Sequence, residues 1–448
     1  MASKPAPAGS RFDVAAFIDA RPIGWREIAT LVICTVALFL DSFDVFFVGK
    51  LAPAIAHGFG QAPVAMKNVF VWQQAGMALG AFILPPLADR IGRKTVLMLC
   101  AAVFGTLTIG ALWVPSLGWL AAVRGVSGIF LAAMLPVGLA LISEATPKRR
   151  RATFLAIALI GFSAGNAASS FVAGWLLVPF GWQVGFWLAG ILPLATLPLL
   201  LIIPESLAFR VTRNPADHRI PATILAIEPS APIHGGEVFH LGNAAPPAKG
   251  GPLALLSRRY LAQTLLLWLA CFLALGNIAL LSSWMTSYFN QLAGIPVQDF
   301  ARFDLIAFSG GIVGTLTIGW LMDRIHPYWL IAAYFVLDAI AIAALGVAPF
   351  GTAGFLVALI AWNVAQIGGQ TGINTLATLG YPPEMRSSGF GWASGLGRIG
   401  GIVFPWFGSK ALAAMLPLST IMLVVALPAV AVALLIVLLG FVSPRKPA

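Results

Sequence analysis

Apolar runs of about 20 residues, long enough to cross a bilayer, recur along this chain. They centre near Phe39, Met77, Phe104, Leu131, Gly161 and Leu192, and then near Phe272, Gly311, Val336, Gln366, Ile399 and Val430. The chain is 59% hydrophobic and 10% charged, whereas soluble domains average about 25% charged residues. Because a soluble protein cannot bury so much apolar surface, the sequence predicts an all-α polytopic membrane protein with 12 transmembrane helices.

A hydrophilic connector divides these spans into two six-helix halves. It is rich in proline and charge and has few large apolar residues, so we expect a linker without a core of its own. The predicted organisation is a cytoplasmic N-terminal segment (1–27), an N-terminal half (28–203), a cytoplasmic connector (204–257), a C-terminal half (258–442) and a cytoplasmic tail (443–448).

Lysines and arginines set the predicted orientation. With both termini inside, 21 of the 27 lie in the inner segments, which is the bias of cytoplasmic loops. The net charge of +11 therefore reflects topology, and we expect a lipid bilayer rather than nucleic acid as the partner. The three cysteines are isolated in apolar segments and have neither disulfide nor metal-ligand spacing, so no cofactor is expected.

Two loops of the first half have counterparts at the corresponding positions of the second half. LPPLADRIGRKT follows span 2 and IGWLMDRIHPYW follows span 8; SEATPKRRRAT follows span 4 and GYPPEMRSSGF follows span 10. Corresponding loops in two six-helix halves indicate duplicated repeats, with a substrate cavity between the halves near the middle of the membrane.

Several of these motifs resemble the major facilitator superfamily. The resemblance rests on the Asp-Arg-x-Gly-Arg-Lys loop from Asp89 to Lys94 and on the pair Arg124 and Gly128 in span 4. Asp41-Ser42-Phe43-Asp44 in span 1 and GGQTGINTLATLGYPPEMRSSGFGWASGLGRIGG in spans 10 and 11 resemble its aromatic acid:proton symporters. Two positions depart from the usual pattern, Ser42 and Pro85, where that family usually has glycine.

The resemblance implies the major facilitator fold and proton-coupled import of an aromatic carboxylate by alternating access. It also implies an inner-membrane location, and we expect a monomer. Two alternatives stay open: a transporter or exporter of a non-aromatic organic acid, sugar or drug, and a receptor that binds without transport. An enzyme is not expected, because no catalytic motif has a plausible context. Gly395-x-Gly397-x-x-Gly400 lies inside an apolar run and suits helix packing better than a nucleotide.

Ionisable residues inside a bilayer cost about 2.5 to 3.5 kcal/mol each, so each needs a partner or a function. Asp41 and Asp44 lie one turn apart on one face of span 1. Since two close carboxylates do not readily ionise together, we expect them to carry protons. A structural pair bonded to neighbouring helices is the alternative.

Three further charges are candidates. Arg398 in span 11 is a permanent cation that could neutralise the aspartates or bind a substrate carboxylate through two hydrogen bonds; a structural ion pair is the alternative. Arg124 could pair with an aspartate. Glu144, at the inner end of span 4, could form a conformational salt bridge or a proton exit. We include Arg124 and Glu144 with the aspartates in the proton-coupling set.

Two groups of uncharged residues could contact substrate. Asn363, Gln366, Gln370 and Asn374 share one face of span 10, and amides can bond carboxylate or phenol oxygens. Trp284 and Tyr288 in span 7 form an i, i+4 pair that could sandwich an aromatic ring, or could face lipid.

The charged residues of the repeated loops suit a gate. The gating candidates are Asp89, Arg90, Gly92, Arg93, Asp323, Arg324 and Arg386. An aspartate can cap a neighbouring helix while an arginine pairs with a helix of the same half. The alternative is that the positive charges only hold the loops inside, and both can be true.

Overall fold

The computed structural model describes residues 11–228, 231, 233, 237–242, 255–322, 324–381 and 386–442, with the side chains of 152, 226, 378, 379 and 386–388 excepted. The chain begins with a short strand, β1 (Arg11–Asp13), and a short helix, α1 (Val14–Ala20). The N-terminal half then consists of α2 (Trp25–Gly58), α3 (Lys67–Ile91), α4 (Arg93–Gly110), α5 (Leu117–Ala145), α6 (Lys148–Phe171), α7 (Leu177–Phe180) and α8 (Gln183–Ile202). Turns of 3₁₀ helix lie at Pro63–Met66 and Ala111–Trp113, and a π-helical turn, Val172–Leu176, joins α6 to α7.

The connector and the C-terminal half follow. The connector contains α9 (Leu207–Arg213), α10 (Arg219–Ile227) and β2 (Val238–His240). The C-terminal half contains α11 (Leu261–Ala293), α12 (Val297–Ala307), α13 (Ser309–Met322), α14 (Pro327–Leu345), α15 (Ala353–Leu379), α16 (Arg386–Ala413) and α17 (Leu418–Val442).

In the described part of the chain, ten helical segments are long and apolar enough to cross a membrane. The two remaining long helices, α3 and α16, contain 25 and 28 residues. They are more polar, and they pack against each other: a Cβ built at Gly395 would lie 3.2 Å from the Phe82 ring. The predicted all-α polytopic fold is confirmed, and these helices are consistent with 12 spans.

Small residues allow the helices of each half to pack closely. A Cβ built at Gly76 would lie 1.9 Å from the carbonyl oxygen of Gly125, and one at Gly80 would lie 2.0 Å from that of Ile129. A side chain at either position would therefore separate α3 from α5. The helix starts are also specified locally, since the hydroxyl of Ser116 accepts from the Trp119 N–H at the start of α5.

The two halves meet unevenly along the bundle. We call the end that carries α1 and the connector the connector end, and the opposite end the far end. Buried residues of the N-terminal half near the far end, such as Phe70, join one apolar cluster with C-terminal residues such as Trp284. Buried residues nearer the connector end, such as Leu31 and Leu141, form a separate cluster confined to the N-terminal half. The apolar core shared by the halves thus stops short of the connector end.

The connector has a core, so the prediction of a linker without one is wrong. Its two helices place Leu207, Val211, Ile220 and Ile224 against Val14 and Phe239. Strand β1 pairs in parallel with β2, with Phe12 opposite Phe239. The four-residue spacing of the apolar pairs in α9 and α10 is a helical signal, and the surrounding prolines and charges obscured it.

Candidate substrate and proton site

Asp44 and Arg124 form an ion pair inside the N-terminal half. Arg124 donates from Nη2 to Oδ2 at 2.7 Å and from Nη1 to Oδ1 at 2.9 Å, and both side chains are fully buried. Nη2 also donates to the Asp44 carbonyl oxygen at 3.1 Å, and the Thr108 hydroxyl donates to Oδ1 at 3.3 Å. The pair therefore ties α2 to α5 and α4 with matched charge.

Asp41, one turn earlier on α2, has a different environment. It is also buried, at 3% exposure, but its Oδ1 has no hydrogen-bond partner among the described residues. Its carboxylate is repelled by Asp44 and attracted by Arg398. A buried carboxylate oxygen without a hydrogen-bond partner is costly unless the group is neutralised, so the environment of Asp41 favours the protonated form more than that of Asp44 does.

Arg398 faces Asp41 from the other half. It lies on the face of α16 that carries Gly395 and Gly401, both of which approach α3; a Cβ at Gly401 would lie 3.5 Å from Nε2 of Gln74. The two charges attract each other, yet in the described structure Arg398 forms no direct ion pair. Its guanidinium is therefore not bound to a carboxylate of the described residues.

The glycines around Arg398 have a packing role. A Cβ at Gly400 would lie 2.1 Å from the carbonyl oxygen of Phe272, and one at Gly397 would lie 2.3 Å from Leu275. These glycines press α16 against α11 and so hold Arg398 on the opposite face, between the halves.

The four amide residues that share one face of span 10 lie on α15, and their hydrogen bonds run mostly within that helix. Asn363 donates to the carbonyl oxygen of Leu359 at 3.0 Å, and Gln366 accepts from Trp362 at 3.0 Å. Gln370 donates to Asn374 at 3.1 Å. Nε2 of Gln366 and Oε1 of Gln370 have no partner among the described residues, so each of these two amides retains one group that a ligand can use.

The structure places Trp284 and Tyr288 away from Asp41 and Arg398. Both are fully buried, and they donate to the carbonyl oxygens of Pro405 at 2.8 Å and Gly408 at 3.0 Å. Those carbonyls lie two to three turns beyond Arg398 along α16. In this conformation the two rings serve helix packing, which is why neither offers a face to a ligand.

Glu144 lies at the connector end, in a network with the loop Asp89–Lys94, the first candidate gating loop. Arg93 contacts Asp89 at 2.8 Å and Glu144 at 3.2 Å. Glu144 also accepts a hydrogen bond from the Ser206 hydroxyl. The network joins the loop to α5 and to the connector, and all its members belong to the N-terminal half or the connector.

Other gating candidates are distributed around this network. Gly92 has φ of 111°, a left-handed value that favours glycine, and the Arg90 carbonyl oxygen accepts from Arg213 at 2.6 Å. In the second loop, Arg324 is exposed and lies 3.8 Å from the centre of the Trp320 ring. Asp323 and the side chain of Arg386 lie outside the described residues, so their role stays a prediction.

Comparison with known proteins identifies the family. Residues 34–405 match the Major Facilitator Superfamily. The chain belongs to this superfamily. It is 32% identical over 440 residues to a gallate transporter of Pseudomonas putida, covering 98% of this chain and 97% of the relative. It is 31% identical to the 4-hydroxybenzoate transporter PcaK of Pseudomonas aeruginosa, covering 99% of each.

Solved structures support the same fold for this major facilitator protein. A bacterial homolog of the human lysosomal transporter Spinster aligns with a TM-score of 0.72 at 17% identity, covering 95% of this chain and 100% of that one. The nucleoside transporter NupG aligns with a TM-score of 0.67 at 14% identity, covering 91% and 99%.

Sequence analysis assigned no role to several buried polar residues of this major facilitator protein. Lys50 and Asp304 form an ion pair across the halves at 2.8 Å, and opposite charges in the outer parts of spans 1 and 8 were the available signal. Asn277 in α11 is buried with both amide atoms unpaired among the described residues; a single amide within an apolar span signals such a residue. Asp338 in α14 is likewise buried and unpaired there, and nothing in the structure explains it.

Proposed function

We propose that this protein is a secondary transporter that imports an aromatic carboxylate together with protons by alternating access. The single observation that carries the proposal is the relation between Asp41 and Arg398. They belong to opposite halves, carry opposite charges that lie close enough to interact, and form no direct ion pair within the described part of the chain. A buried acid and a half-buried cation arranged in this way can exchange partners with a proton and a carboxylate. The gallate and 4-hydroxybenzoate transporters among the relatives support the aromatic class.

In the proposed cycle, Asp41 binds a proton when the site faces outward. Arg398 then loses its countercharge and binds the substrate carboxylate through two parallel hydrogen bonds. The site becomes neutral, which lowers the cost of moving it through the membrane. After the halves rock, the proton and the carboxylate leave on the other side. Because Arg124 already neutralises Asp44, we assign that aspartate to fixing α2 against α5.

We propose that the connector end lies in the cytoplasm, with both termini, in the inner membrane. The distribution of lysines and arginines supports this orientation. The shared apolar core at the far end then corresponds to a conformation closed to the outside. The gating network of Asp89, Arg93 and Glu144 has no partner from the C-terminal half among the described residues, as a parted connector end requires.

Coupling to protons has an energetic reason. A monoanion that enters a cell with a negative interior works against about 2.3 kcal/mol per 100 mV. Co-transport of one proton removes this cost, and a second proton would add the membrane potential to the driving force. We propose that one monomer carries the complete path, since both charges of the site come from one chain.

The test is uptake by the purified protein in liposomes. Labelled benzoate, 4-hydroxybenzoate and gallate are offered with the outside more acidic, and protein-free liposomes serve as the control. We expect accumulation of at least one acid that collapses when a protonophore is added. Accumulation unaffected by the protonophore would contradict proton coupling.

The same preparation separates the alternatives. Competition by sugars or aliphatic acids, without competition by benzoates, would indicate another substrate class. Accumulation only under the reversed pH gradient would indicate an exporter. Ligand-dependent stabilisation without counterflow would indicate a receptor.

A further inference from the structure

A buried polar cluster joins the halves at the far end, two and a half turns beyond Asp41 on α2. We call it the far-end cluster: Lys50 of α2, Ser170 of α6 and Asp304 of α12. Nζ of Lys50 contacts Oδ2 of Asp304 at 2.8 Å and the Asn166 carbonyl oxygen at 3.1 Å, and it also contacts Oγ of Ser170. The Ser170 hydroxyl donates to the same Oδ2 at 2.8 Å.

The cluster is divided unequally between the halves. Lys50, Ser170 and the Asn166 carbonyl belong to the N-terminal half, and only Asp304 belongs to the C-terminal half. The N-terminal side therefore provides an ammonium and a hydroxyl that converge on one carboxylate oxygen. This arrangement is a carboxylate-binding site that holds a carboxylate of the protein itself.

Opening of the far end must separate Asp304 from this site. Close backbone contact also fixes the halves here, since a Cβ at Gly49 would lie 2.1 Å from the Ser282 carbonyl oxygen. When the halves part, α12 moves with the C-terminal half. One N–H of Lys50 and the Ser170 O–H then lose Asp304 as their acceptor, while the Asn166 carbonyl oxygen, 3.1 Å from Nζ and 3.5 Å from Oγ, stays beside both groups.

We infer that Lys50 and Ser170 form an entry site for the substrate carboxylate, occupied by Asp304 while the far end is closed. The inference rests on the proposed function and adds a second anion site to it. A carboxylate arriving from the far side replaces Asp304 and so favours the open state. It then moves about 14 Å along α2, at 1.5 Å per residue, to the level of Asp41.

The test compares the two directions of transport. Lys50→Gln is reconstituted, and the KM is measured for substrate offered at the far side and at the connector side, with the panel acid that the wild type takes up fastest. We expect the far-side KM to rise about tenfold, the size of one lost charge-assisted hydrogen bond, with the connector-side KM unchanged. Ser170→Ala should give a smaller rise in the same direction. Lys67→Gln, at the far-end start of α3, is the matched control and should change neither.

A charge swap separates an entry site from a simple latch. Lys50→Asp with Asp304→Lys keeps opposite charges across the halves but removes the cation from the N-terminal half. An entry site predicts that the far-side KM stays high in the swap, whereas recovery to the wild-type KM would overturn the inference. An equal KM change in both directions for Lys50→Gln would overturn it as well. If the swap fails to fold, the Lys50→Gln and Ser170→Ala comparison decides alone. Absence of carboxylate transport by the wild type would instead defeat the proposed function.

Discussion

Arg124 directs both terminal nitrogens at the carboxylate of Asp44, whereas Asp41, three residues earlier on the same helix, has one carboxylate oxygen without a partner among the described residues. The two aspartates look equivalent in the sequence. Their surroundings give one a fixed countercharge and leave the other facing a cation of the opposite half. We therefore expect substitution of Asp44 and substitution of Asp41 to have different effects.

Asp44→Asn should destabilise the fold. Removing one member of a buried ion pair leaves an uncompensated charge and costs about 3–5 kcal/mol. We expect Arg124→Gln to cost a similar amount and the double variant to cost less than the sum. Unfolding followed by tryptophan fluorescence in mixed micelles measures all three, and strict additivity would contradict the pairing.

Asp41→Asn should fold normally but should no longer couple substrate transport to protons. An amide fills the same space but carries no titrating proton, so we expect exchange of substrate to continue while accumulation driven by a pH gradient disappears. Asp338→Asn, another buried aspartate substitution, is the control and should retain accumulation. Both are compared by counterflow and by gradient-driven uptake in liposomes. Wild-type accumulation by Asp41→Asn would remove this residue from the proton path.

Arg398→Lys should weaken substrate binding even though the charge is kept. An ammonium lacks the planar fork that holds a carboxylate through two bonds, so we expect the KM to rise on the order of tenfold. Arg259→Lys, exposed and 5.5 Å from the centre of the Tyr260 ring, is the matched control. An unchanged KM for Arg398→Lys would assign Arg398 to a structural role.

Gly92→Ala should loosen the first gating loop. The positive φ costs an alanine about 1–3 kcal/mol, and its Cβ would lie 2.1 Å from Oε2 of Glu205. Glu205 accepts from the Lys94 N–H at 3.1 Å, so the loop would lose a contact with the connector. Gly319→Ala, with no atom within 4 Å of its Cβ, is the control. Thermal unfolding should show a lower midpoint for Gly92→Ala alone.

Acid should release the N-terminal segment from the connector. The Ala16 N–H holds the pKa of Asp13 below its ordinary value of 3.8, and the Gly242 and Ala15 N–H groups and His240 act in the same direction. A lowered pKa in the folded state means that this stabilisation is present above 3.8 and is lost as the pH falls through the lower folded value. Hydrogen-exchange protection of residues 11–20, taken relative to the intrinsic rate at each pH, should therefore decrease below about pH 4. Asp13→Asn should lack this pH dependence.

The sequence was sufficient for the fold because lipid imposes a simple requirement. Each span needs about 20 apolar residues, and the repeated loops divided the spans into two halves. It was also sufficient to select Asp41, Asp44, Arg124 and Arg398, since charges within apolar runs are conspicuous. The pairing of these charges depends on helix rotation, which a one-dimensional pattern does not contain.

The contacts of Trp284 and Lys50 could not be predicted from the sequence. The i, i+4 spacing of Trp284 and Tyr288 predicts a shared face, but whether that face meets a helix or a cavity depends on how closely α16 approaches. Lys50 and Asp304 lie 254 positions apart in the chain. Their contact arises only because the halves close at the far end, so no local pattern contains it.

The pairing of β1 with β2 constrains the order of events during synthesis. Gly242, whose N–H donates to Asp13, follows it by 229 residues, and all the helices of the N-terminal half lie between them. At about 5–20 residues per second, the first strand waits roughly 10 to 45 s for its partner to be translated. This pairing can form before the second half is translated, because β2 precedes α11 in the chain. We therefore expect this pairing to hold the N-terminal half together before the helices of the C-terminal half are inserted.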